Sequence, residues 1–302
     1  MRFTHLKIGH VTHIDKGTGL TAFLFDKPVT CGYWLCGSAP ATRDVHLLDP
    51  AFTVDKIDAL LFTGGSAFGL DAAQGVMRWL AEQKRGFPTA HGPVPIVPTA
   101  SIYDFSVKGM AAPSGDDGYQ ACLKAAADLQ SGLMGAGTGA SVGKLAANAY
   151  AMTGGFGCTQ IEGPSGLKVL VCVVVNAAGD IIDKNGAIIA GATRSDGQFI
   201  NLANYLQQNG NIASPLAQQN TTLAAVFTNA ALNKSQLTRV AKMASAGMAR
   251  AIAPVFTSYD GDVVFAASLG ENTGDEITVG TLSAVAMQQA ILTAVKNTSI
   301  LK

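Results

Sequence analysis

The stretch GNIASPLAQQNTTLAAVFTNA, residues 210–230, changes character at one bond. Up to Asn220 it is dominated by Gln, Asn, Gly, Ser and Pro; from Thr221 it is β-branched and apolar. LAAVFT (223–228) therefore reads as a strand, and the Gln/Asn-rich segment 206–220 reads as a flexible connection. Two explanations of the junction compete. Either a loop ends where a strand starts, or the Asn220–Thr221 bond is built to break.

The strand has companions. TAFLFD (21–26), DALLFT (58–63), VPIVP (94–98), LKVLVCVVVN (167–176) and DVVFAAS (262–268) all read as strands. Helical spacing puts Phe68, Ala72, Val76, Trp79 and Leu80 on one face of 67–82. Residues 234–252 form a second helix, capped by Asn233 with Gln236 at the capping-box position, and Leu237, Val240, Ala241, Ala244, Met248 and Ile252 line one side. Segments 117–130 and 276–297 are also helical, the latter so apolar that burial between layers is expected. No composition shift separates two parts, so the reading is a single α/β domain of stacked sheets and helices over 1–302.

Composition excludes several classes of function. Hydrophobic residues make up 48% and charged residues 14% of the 302, and Lys+Arg and Asp+Glu balance at 21 each. Such a chain has a large core and no basic field for nucleic acid or an anionic membrane. The N-terminal MRFTHLKIGHVTHIDKG lacks a signal-peptide apolar core, and VLVCVVV is too short to span a bilayer. The five cysteines are odd in number and sit mostly in apolar settings, as reduced thiols of a cytoplasmic protein. His10 and His13 have no ligand cluster around them, so no metal site is expected.

Candidate chemistry is sparse. GAGTGA (135–140) matches a dinucleotide fingerprint on paper, but a helix rather than a strand precedes it. A phosphate loop ending at Gly143-Lys144 fails, because Thr138 and Leu145 stand where Gly and Ser/Thr are needed. The glycines could instead bring backbone close to a substrate, with Lys144 at the mouth. Asp260-Gly261-Asp262 is an ordinary turn pair, Asn176 an ordinary strand end, Tyr103 ordinary packing. Ser66 lacks the G-x-S-x-G setting of a nucleophile elbow. Thr221 has a stronger chemical argument. A hydroxyl needs a base to take its proton, and cutting before Thr221 would create an α-amine of pKa about 7.7–8.0 on that same residue.

TGGSAFGLDAAQGVMRWL, VPIVPTASIYDF, GAGTGASVGKL, VVVNAAGD, NTTLAAVFTNA and SYDGDVVFA run in order along nearly the whole chain. Together they resemble the self-cleaving DmpA-type L-aminopeptidase/D-amidase-esterase family, which includes β-peptidyl aminopeptidases and nylon-oligomer hydrolases. The resemblance implies a four-layer αββα sandwich like that of N-terminal-nucleophile hydrolases, with different connectivity. It implies cleavage after Asn220 into 1–220 and 221–302, with Thr221 as nucleophile. Lys144 matches the lysine beside the nucleophile, Asn176 the oxyanion-stabilising asparagine, Asp260 and Asp262 the acidic pair, and Tyr103 a pocket wall. No cofactor is implied. The substrate is a small peptide or amide, and Thr after Asn at the junction is nearer the nylon-oligomer branch than the serine branches. With the neutral, apolar composition, the resemblance points to a homo-oligomer, a tetramer.

Overall fold

The computed structural model describes residues 3, 5–210, 220–296 and 299–301. Nine strands share one hydrogen-bonded ladder. They are β1 (Leu6–His13), β2 (Thr18–Leu35), β3 (Ala41–Arg43), β4 (Lys56–Thr63), β5 (Thr99–Ser101), β6 (Gly155–Glu162), β7 (Lys168–Asn176), β8 (Thr221–Ala230) and β9 (Val263–Asn272). Their order is β3-β5-β4-β2-β9-β8-β7-β6, with β1 also paired to β2.

The long strand β2 turns this ladder into two packed sheets. Residues 18–25 pair with β1, whereas residues 30–35 pair with β9 along the same edge; β4 runs along the other edge with an irregularity between Leu24 and Val29. Asp26, Lys27 and Pro28 are exposed at the bend. Pro28 has no N–H to give to a ladder, which suits that position.

Side-chain alternation then assigns the layers. Of five longer helices, α1 (Ala73–Glu82), α2 (Gly115–Leu123), α4 (Lys234–Ala249) and α5 (Glu276–Ala294) cover the sheets, while α3 (Leu202–Asn209) packs on a separate cluster with Leu145, Ala146, Ala178 and Ala192. Along β7, Val169, Val171, Val173 and Val175 join the cluster under α4 and α5, while Leu170, Cys172 and Val174 join the central cluster. Along β2 and β4, Phe23, Phe25, Leu60 and Phe62 face the centre, while Leu20, Ala22, Leu24, Ala59 and Leu61 pack with α1 and α2. The order is therefore helices, sheet, sheet, helices. Strands buried on both faces need no polar alternation, which is why VLVCVVV reads as a continuous apolar run. Between the sheets, Phe23 lies 5.2 Å from both Phe62 and Phe227, and Phe62 lies 5.9 Å from Phe265. Each such ring contributes about 1.5–3 kcal/mol by leaving water.

Several local expectations need correction. VPIVP (94–98) is not a strand. Pro95 and Pro98 remove donors, so the segment runs beside β4 through separate bonds, from Asp58 N–H to Ile96 O (2.9 Å) and Leu61 N–H to Pro98 O (3.0 Å). The strand begins after it, at Thr99. The helix expected over 117–130 stops at Leu123, because Ala126 exchanges both backbone hydrogen bonds with Ile8 of β1. In 67–82 the face holds except at Phe68, which is exposed. Helix α5 forms part of an outer layer rather than lying between layers: one face packs on α4, β6 and β7, while Ile277 and Val285 are exposed. It is the one helix among the described residues long and apolar enough to cross a membrane. Part of 206–220 belongs to α3; residues 211–219 lie outside the described residues. The capping box of Asn233 and Gln236 is formed as read.

Candidate active site

The ends of three neighbouring strands converge at one end of the second sheet. β7 ends at Asn176, β8 begins at Thr221, and β9 begins just after Asp262. Antiparallel register places Thr221 directly opposite Asn176. Upstream of the β8–β9 parallel ladder, Asn220 forms a parallel bridge with Asp260. The junction at Asn220–Thr221 is thus held on both sides by backbone pairing.

Thr221 is buried and its hydroxyl donates to the carbonyl oxygen of Asn220. That same oxygen accepts the Gly261 N–H at 2.8 Å. Thr221 and Asn220 line a small cavity of about 90 Å³ with Tyr103, Tyr259, Ser66, Ser101, Ala39 and Ala41. Tyr103 accordingly stands where a pocket wall was expected.

Lys144 and Asn176 form a second, fully buried unit. The Lys144 ammonium donates to Asn176 Oδ1 (2.8 Å) and to its backbone oxygen (3.3 Å). Asn176 Oδ1 also accepts the Ser141 N–H (3.0 Å), and its Nδ2 donates to Tyr103 O (3.2 Å). Among the described residues no hydrogen bond joins Lys144 to Thr221; the lysine reaches the cross-strand partner of Thr221. Burial pulls the Lys144 amine down to about 7, against the opposing pull of Asp260, Asp262 and Asp104. A cation taken out of water loses more than these carboxylates return.

The two aspartates divide their work. Asp262 Oδ1 accepts the N–H of Thr222, the residue after the candidate nucleophile. Burial, then the charge of Asp260, raises its carboxyl well above the usual range. Asp260 Oδ2 accepts the backbone N–H (2.8 Å) and hydroxyl (2.6 Å) of Thr257. Through these two bonds Asp260 shapes the turn that precedes Gly261. Asp260-Gly261-Asp262 is not a free-standing hairpin turn either. Asp260 O accepts from the N–H groups of Ser38 and Ala39, and Asp262 O from those of Cys36 and Gly37.

The residue sequence reading missed is Asp104, next to Tyr103. It is buried, accepting Thr18 Oγ1 at 2.7 Å and the Gly65 N–H at 2.8 Å, and burial raises its pKa to about 6. It ties the start of β2 to the turn that carries Ser66. A lone carboxylate between apolar Ile102 and Phe105 was the available signal. The glycine run 135–140 has no phosphate role to offer, since it is buried against other backbone. A Cβ at Gly137 would lie 2.3 Å from Phe156 N, and one at Gly139 would lie 1.8 Å from Gly17 O.

Comparison with known proteins gives the family and the fold. The model of "Peptidase family S58" matches residues 4–300. An uncharacterized aminopeptidase of Mycobacterium tuberculosis is 40% identical over 281 residues, 88% of this chain and 79% of that protein. A 6-aminohexanoate-oligomer endohydrolase of Kocuria sp. is 30% identical over 218 residues, 70% of this chain and 61% of that protein. Among solved structures, the L-aminopeptidase D-Ala-esterase/amidase of Ochrobactrum anthropi, described as a variant of the Ntn hydrolase fold, superimposes with a TM-score of 0.73. It is 19% identical, and the match covers 97% of this chain and 84% of that one. The mixed α/β fold is that of this Ntn-like class of hydrolases. The chain belongs to peptidase family S58, with nylon-oligomer hydrolase relatives, and is an aminopeptidase-type hydrolase.

Proposed function

We propose that the chain is a self-processing amide hydrolase that cuts itself at Asn220–Thr221 and then uses Thr221 as an N-terminal nucleophile. The observation that carries this reading is the Thr221 hydroxyl lying on the carbonyl oxygen of the preceding residue, inside a cavity walled by Tyr103. In the precursor the hydroxyl oxygen adds to the Asn220 carbonyl carbon. Its proton passes by way of a bridging water to the neutral amine of Lys144, which rests on the cross-strand partner Asn176, and from there to the departing Thr221 nitrogen. The ester that forms is hydrolysed by water, freeing the Asn220 carboxylate and the Thr221 amine. In turnover that amine becomes the base for its own hydroxyl. Asn176, with Nδ2 beside the cavity wall, stabilises the oxyanion of the substrate.

The substrate is a short amide offering a free amino end. The relative at 40% identity is named an aminopeptidase, and the nylon-oligomer hydrolases stand further off, which favours amino-acid amides and short peptides over aminohexanoate oligomers. The assembly is a homo-oligomer, a tetramer. Intact mass and N-terminal sequencing test the processing. We expect a piece starting at Thr221 with 82 residues, about 8 kDa of the 31.0 kDa chain, and an uncut Thr221→Ala protein. Active protein that shows only the 31.0 kDa mass would overturn the mechanism. A panel of alanine anilide, β-alanine amide and aminohexanoate dimer then ranks the substrates.

A further inference from the structure

The Asn220 carbonyl carries negative charge as the Thr221 oxygen adds to it, so some donor must meet that oxygen before cleavage. Asn176 is the obvious candidate, yet the one hydrogen bond its Nδ2 donates among the described residues goes to Tyr103 O. Besides the hydroxyl of the attacking Thr221 itself, the backbone of Gly261 donates to the Asn220 oxygen, at 2.8 Å. We propose that the Gly261 N–H is the oxyanion donor of self-cleavage, a task separate from the one Asn176 performs in turnover. The inference rests on the self-processing reading above.

The surroundings of this peptide group suit the task. In a trans peptide the C=O and N–H point in opposite directions. The Asp260 carbonyl is held by Ser38 N–H (2.7 Å) and Ala39 N–H (3.0 Å), which aims the Gly261 N–H the other way, at Asn220 O. A carbonyl that already accepts two hydrogen bonds also polarises its own N–H. The donor is thus fixed in advance and needs no rearrangement as charge develops. Position 261 has no room for a side chain: a Cβ there would lie 2.8 Å from Thr221 Oγ1 and 2.6 Å from Ala39 O. Glycine lets the N–H and the nucleophile occupy the same oxygen.

The chemistry balances without any further reactant. The Oγ1–C bond forms as the C=O π pair moves onto the oxygen that Gly261 holds. The pair returns as the C–N bond breaks, and the hydroxyl proton ends on the nitrogen. After release, the same N–H faces the space that the Asn220 carbonyl has left.

Cell-free translation with glycolic acid at position 261 tests this, replacing the N–H by an ester oxygen and adding no bulk. Glycolic acid at Gly166, in an exposed turn, controls for hydroxy-acid incorporation. Gel analysis of the soluble, size-exclusion-purified chain over time gives the cutting rate. We expect the 261 ester to cut about 10²–10³ times more slowly than wild type, the typical cost of losing one oxyanion donor. The 166 ester should cut normally. If wild type cuts and the folded 261 ester keeps pace, the donor assignment is wrong while the self-processing reading survives. If wild type stays whole, both fail together. Should the 261 ester not fold, the hydrogen-bond scalar coupling between the Gly261 nitrogen and the Asn220 carbonyl carbon in the uncut Thr221→Ala protein decides: a measurable coupling upholds the donor, and its absence overturns the proposal.

Discussion

Lys144 lies among three carboxylates, yet its amine sits at about 7 because burial outweighs them. The consequence for processing has a definite sign. Below pH 7 the amine is protonated and cannot take the Thr221 proton; above it the neutral form dominates. The rate of self-cleavage should therefore rise about tenfold per unit below pH 7 and level off above pH 8, read by gel after release from acid. Lys144→Met should remove both the rise and the cutting. The same depression means that the unfolded chain binds one more proton than the folded chain between about 7 and 10.5. Precursor stability gains from this group as pH rises across that window. Asn176 is a separate matter. With its side chain truncated, turnover of already cut protein should fall about 10²–10³-fold in kcat, measured against a short amide; unchanged turnover would remove Asn176 from the mechanism.

At the scale of elements, backbone contact between helices does what propensity does not. A Cβ on Gly75 of α1 would lie 1.6 Å from Gly115 O, and one on Gly118 of α2 would lie 2.0 Å from Ala72 O. The two helices meet through glycine backbone. Gly75→Ala improves intrinsic helix propensity by about 1 kcal/mol, yet it should destabilise, by about 1–3 kcal/mol for overpacking. Urea unfolding of the Thr221→Ala precursor checks the sign, and a more stable variant would mean that the helices do not touch there. The same contrast explains what could be read from sequence. VLVCVVV and the capping box at Asn233 carry their structure in side chains, and both were legible. VPIVP failed because two prolines withdraw donors, an effect that outweighs β-propensity. Thr221, Lys144, Asn176, Asp262 and Tyr103 were legible through motif. The Gly261 N–H was not, since a backbone donor has no letter of its own and its aim depends on Ser38 and Ala39, over 200 residues upstream.

At the scale of the whole molecule, the surface bears on assembly. Phe68 and Met110 are exposed apolar side chains on a chain of zero formal net charge, which favours burial against other copies. Light scattering at micromolar concentration should give about four times 31.0 kDa, and a monomer mass would reject the tetramer.

The position of β8 and β9 in the ladder has one more consequence. If the chain is cut as proposed, these two strands belong to the 82-residue piece and lie side by side with β7 and β2 of the larger piece on either flank. Such a cut would open no new sheet edge. The denatured state registers the cut fully. A tethered segment finds its slot at a fixed, high local concentration, whereas two separate coils must collide in dilute solution. The precursor can fold, unfold and fold again as one chain. The cut protein keeps the form it was assembled in, and once melted it has lost the covalent memory that brought its inner strands home.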